Sequence, residues 1–193
     1  MRSPRGYLGS LVLLLALPIA VLTQVLVGSG SAIAIHVALA AGCVLVALSA
    51  FDFGTPRWLA WVGRVSAGAF AAIFLVQAAS TLIGNASFSH FANEVLGFWP
   101  EKVLLSLIAF WLVGVLLSAS GGRTRIVGFV AMAVVVCVEA YVFFGLLFLG
   151  TNPFVETAVV KLAYLLPFVW LLLESGKRRS QKRSKYVPVA SRG

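Results

Sequence analysis

One carboxylate, Glu139, stands inside Ile126 to Gly150, a run otherwise almost free of ionisable groups. In an apolar medium such a side chain can exchange a proton or tie helices together. Insertion scales put its cost near the middle of a span at roughly 2.5–3.5 kcal/mol, so it is expected to face a bundle interior. Its helical stripe, Gly128, Met132, Val135, Val142 and Leu146, carries neither a second carboxylate nor a cation. Desolvation then favours the neutral form, and proton exchange is the chemistry open to it. Gln77 lies as far beyond Arg64 as Glu139 lies beyond Arg125, to within a residue. Its amide can hydrogen-bond either form of the carboxyl. Lys161, near Tyr164, has two readings: a neutralising pair with Glu139, or a side chain that snorkels to the outer surface. His36 and Gln24 are placed to line an outer vestibule. Glu139, Gln77, Lys161, Tyr164 and His36 therefore form the candidate polar cluster.

The elements that must position these residues follow from composition. Of 193 residues 61% are hydrophobic and only 11% charged, where a soluble domain carries roughly 25% charged residues. No soluble fold has enough interior for this, so the expected fold is all-α: a polytopic membrane helical bundle. Six runs are long enough to span, at about 7–27, 32–51, 58–83, 103–119, 126–149 and 155–173. They form one domain over 1–175. A loop at 84–102 joins the third and fourth, and a basic tail without regular structure is expected at 176–193. In the loop, Phe88, Phe91, Val95, Phe98 and Trp99 suit a short interfacial helix or a lid. Asn85-Ala86-Ser87 has the form of a glycosylation acceptor.

Lysine and arginine set the orientation. With both termini cytoplasmic, Arg2, Arg5, Arg57, Arg64, Arg123, Arg125 and the whole basic tail lie inside, and only Lys102 and Lys161 of 15 cations lie outside. In a bacterium the expected location is the cytoplasmic membrane. A cleaved secretory signal ending at Ala32-Ile33-Ala34 is the competing reading of the first run, which is too long for an ordinary signal core. The tail cations Lys177, Arg178, Arg179, Lys182, Arg183 and Lys185 are expected to anchor the topology against anionic lipid headgroups, with recruitment of a cytoplasmic protein as the sharper alternative. A formal charge of +9 does not imply nucleic acid, because the cations fall in short flanks between apolar runs.

Small residues mark packing faces: Gly30, Ala34, Ala38 and Gly42 on the second run, and Gly63, Ala67 and Ala71 on the third. Such spacing lets helix backbones approach closely, within one chain or across a homodimer. Cys43 and Cys137 stand singly in apolar runs and read as small buried hydrophobes. No metal is expected, and no cofactor. Haem would need two histidines at matched depth, and His90 falls in the outer loop. No P-loop, HExxH, GxSxG or paired-carboxylate motif occurs.

Three short patterns carry a family resemblance: Arg64…Gly68…Phe74-Leu75, then Trp111-Leu112-Val113-Gly114-Val115-Leu116-Leu117, then Gly122-Arg123-Thr124-Arg125. From about residue 60 to 175 the chain resembles the DoxX/MauE-type four-helix membrane proteins. It departs from them at Ala78-Ala79-Ser80-Thr81, where a Gly and a Lys are usual, and at Phe110-Trp111, where an acidic residue is usual. Two additional spans precede the similar region. The resemblance implies a subunit or partner of a membrane oxidoreductase system, without the cysteines that a thiol role requires.

Two functions are expected from these readings. One is an accessory or scaffolding membrane subunit. The other is a small proton-linked transporter or lipid-handling protein that uses Glu139.

Overall fold

The computed structural model describes residues 3–27, 33–97, 99–119, 122–145 and 159–184. No strand occurs among them. Six helical stretches are long and apolar enough to cross a membrane. Helix α1 (Pro4–Val27) runs unbroken through Pro18, and α2 (Ile33–Ser49) ends in a 3-10 turn at Ala50–Phe53. Pro56 precedes α3 (Arg57–Ile83), which stops at Gly84 in the left-handed conformation, φ 67°. A short α4 (Ala86–His90), capped by the Asn85 side chain, continues into a π-turn at Phe91–Val95. Helices α5 (Trp99–Ala119) and α6 (Arg123–Phe144) follow. The described part of the last span is a helical turn at 159–163, interrupted at Tyr164 and continued as α7 (Leu165–Ser184). Pro167 explains the interruption, since it has no N–H for the carbonyl of Ala163 four residues earlier.

Two boundaries differ from the sequence reading. Residues 99–102, assigned to the loop, are the first turn of α5: Pro100 pre-sets the helical φ and Glu101 suits the positive end of the helix dipole. Residues 177–184, assigned to an irregular tail, continue α7 as helix. Lys, Arg and Gln are good helix formers, and cations suit a helix C-terminus.

The spans close into a ring in chain order, α1–α2–α3–α5–α6–α7, with α7 returning to α1. Glycines bring the neighbours together. A Cβ on Gly9 would stand 2.9 Å from the carbonyl oxygen of Gly42, and one on Gly114 would overlap Leu59. Trp111 lies across Gly63 and Trp170 across Gly128, both indoles 0% exposed. Ala67 and Ala71 are buried beside Gly63, so this small-residue face serves packing within the chain. The second face is mixed: Gly42 is buried and Ala34 exposed. Cys43 is buried, but Cys137 faces outward, contrary to its reading as a buried hydrophobe. Outside the ring the exposed side chains are largely apolar, among them Leu15, Leu82, Ile126 and Phe144.

Gly63→Ala is expected to destabilise the bundle by about 1–3 kcal/mol, as overpacking against a buried ring does. Gly68→Ala, with nothing within 4 Å of the added carbon, is expected to be neutral or mildly stabilising. Unfolding of both variants in detergent micelles checks the contrast.

Candidate functional site

The polar cluster forms at the end of the bundle away from the exposed arginines. Three elements build it. The first turn of α5 points Glu101 inward, and the turn before Tyr164 brings Lys161 to it, with Nζ 3.2 Å from Oε1. Both side chains are withdrawn, at 15% exposure for Lys161 and 3% for Glu101. The interruption above Pro167 aims Tyr164, 1% exposed, across the bundle. Its hydroxyl donates to the Leu105 carbonyl at 2.8 Å and lies 3.3 Å from Glu139 Oε1. The last span is thereby fastened to α5 twice and to α6 once. His36, on α2, packs its ring 6.3 Å from Phe74 and has a buried Nδ1 without a hydrogen-bond partner among the described residues.

Three expectations are corrected. Lys161 neither pairs with Glu139 nor snorkels, because Glu101 offers it a nearer carboxylate inside the helix. Gln77 is not the partner of Glu139: α3 and α6 are not neighbours in the ring, and the Gln77 amide sits beneath Gly97 of the α4–α5 connection. The side chains of Gln24, Trp99, Lys177, Arg178, Arg179, Lys182 and Arg183, together with Phe98 and Lys185, lie outside the described residues.

Beneath the cluster is an internal chamber lined by Leu13, Val46, Phe70, Leu105, Phe168 and other apolar groups, with Lys161 and Tyr164 also in its wall. Its volume is about 20 Å³, room for a single water, where small-molecule sites run to roughly 300–1,000 Å³. No group of three metal-ligating side chains occurs among the described residues.

Two buried carboxylates were missed in the sequence. Glu101 was hidden by its polar neighbours, although Pro100-Glu101 before an apolar run is a helix-start signal. Glu174, 4% exposed, accepts from Thr124 Oγ1 at 3.2 Å and joins α7 to the start of α6 at the opposite end. Its position just before the basic tail gave it no distinguishing signal.

Lys161→Met leaves Glu101 buried without its cation and is expected to cost about 3–5 kcal/mol. Adding Glu101→Gln is expected to recover most of the loss, and a double-mutant cycle of unfolding free energies measures the coupling. Compared with known proteins, the chain matches no family model, no curated protein and no solved structure.

Proposed function

We propose that this chain is a multi-pass membrane protein, with both termini on the cytoplasmic side, that serves as an accessory or scaffolding subunit. The observation that carries this reading is the use made of its interior charges. Glu101 and Lys161 neutralise one another across two helices, and Glu139 meets a tyrosine that also binds a backbone carbonyl. These are fastenings between helices, around a chamber too small for a substrate. The six apolar helices and the apolar outer surface support the membrane placement. The exposed arginines Arg5, Arg57, Arg64, Arg123 and Arg125 gather at one end, which supports that end as the cytoplasmic one. The bilayer is then its first partner, with anionic lipid beneath the basic turns of α7. The likeness to DoxX/MauE-type proteins from Arg64 onward makes a membrane redox assembly the protein partner to seek.

A second reading rests on the tyrosine. A phenol has one proton, and the shorter contact commits it to Leu105. The carboxyl of Glu139, 3.3 Å away, must share that proton or supply its own. This is the geometry of a proton-exchanging group, and it supports the proton-linked alternative.

Reconstituted in liposomes with an internal pH dye, the wild-type protein is expected to pass no protons under an imposed gradient, and Glu139→Gln to behave identically. A flux abolished by Glu139→Gln would establish the second reading instead. Gentle detergent extraction is expected to recover the protein with a stoichiometric membrane partner. For orientation, Ser89→Cys in a Cys137→Ala background is expected to react with an impermeant thiol reagent on intact cells. Arg123→Cys in the same background should react only after permeabilisation.

A further inference from the structure

Arg64 occupies an unusual seat on the outer surface of the ring. Its guanidinium carbon lies 5.6 Å from the Phe51 ring centroid and 5.4 Å from that of Trp61. The two rings meet edge to face at 86°, with centroids 5.4 Å apart. They come from separate elements, Phe51 from the 3-10 turn after α2 and Trp61 from α3, so the seat is built by tertiary structure. Among the described residues no carboxylate pairs with Arg64. Arg57, also exposed, precedes it by two turns on the same helical stripe. Trp58 and Phe110, 61% and 53% exposed, form a second exposed aromatic pair where α3 meets α5.

We infer that this seat is a binding site for the phosphate of an anionic phospholipid in the inner leaflet. The inference rests on the membrane placement proposed above. Two turns separate Arg64 from the start of α3, about 10 Å of rise, which sets it at the margin of the hydrocarbon. A guanidinium there favours an anion, and among the described residues no carboxylate pairs with it. The aromatic faces fix the cation in place by cation–π attraction. A guanidinium seated against rings keeps N–H groups free at its edge, and their fork matches two phosphate oxygens. The exposed rings are suited to the glycerol and upper acyl region of the same molecule. Zwitterionic lipid offers the same phosphate with a choline charge attached, so the site should favour lipids of net negative charge.

The test uses the full-length protein in vesicles of phosphatidylcholine and phosphatidylglycerol, with brominated acyl chains on one lipid at a time. Bromine quenches the exposed Trp58 and Trp61 on contact. The wild type is expected to be quenched preferentially by brominated phosphatidylglycerol. In Arg64→Gln that preference should fall by about fivefold, the contribution of one basic residue beside anionic lipid. Phe51→Leu, which keeps the charge and removes one ring, should give an intermediate loss. Arg123→Gln removes a cation from the same end of the bundle, where no ring contact holds it among the described residues, and should leave the preference intact. Soluble glycerol phosphate should not compete. Equal quenching by the two lipids in the wild type, or an equal loss in Arg64→Gln and Arg123→Gln, would overturn the site while leaving the membrane placement standing. Absence of quenching by either lipid would overturn both.

Discussion

Closure of the ring falls on the last span, and the buried pair of Lys161 and Glu101 is the interaction on which that closure turns. In a bundle whose outside is as apolar as its inside, burial alone does not choose which helix faces which. Charge does. Lys161 meets Glu101, a carboxylate that is also withdrawn from the surface, and this fixes both the rotation and the height of the last span. Tyr164, one turn further on, then reaches Leu105 and Glu139, and Glu174 meets Thr124 at the far end. Four helix contacts are set by a handful of polar atoms.

The other joints in the ring are made differently. Between α1 and α2, between α3 and α5, and where α5 and α7 meet the start of α6, glycines receive a leucine or an indole from the neighbouring helix. These contacts rely on shape, and the polar ones on charge. The buried carboxylates all belong to the last three spans, where both kinds of contact occur together.

Much of the architecture was legible beforehand. The six apolar runs and the helical stripe of Glu139 can be read from spacing and hydropathy. The partners could not. Depth along a helix can be counted, which made Gln77 and Glu139 look like neighbours, but the order of helices around a ring cannot. Glu101 escaped for a related reason. A polar neighbourhood in sequence hides a buried residue when the helix begins a turn earlier than its hydropathy suggests. Pro100 carried that information, and hydropathy outweighed it. Arg64 with its two rings could not be foreseen, because Phe51 and Trp61 meet only through the fold.

Synthesis runs from the N-terminus to the C-terminus, and this gives the pair at the cluster a temporal meaning. Five spans are complete before Lys161 has been made, and throughout that interval Glu101 carries an unanswered charge on a newly formed helix. A nascent or truncated chain is thus chemically marked as unfinished, and the mark disappears only when the last helix docks. Quality-control machinery that recognises stray polar groups among apolar helices would find Glu101, and Glu139 still without Tyr164, in the incomplete protein and not in the finished one.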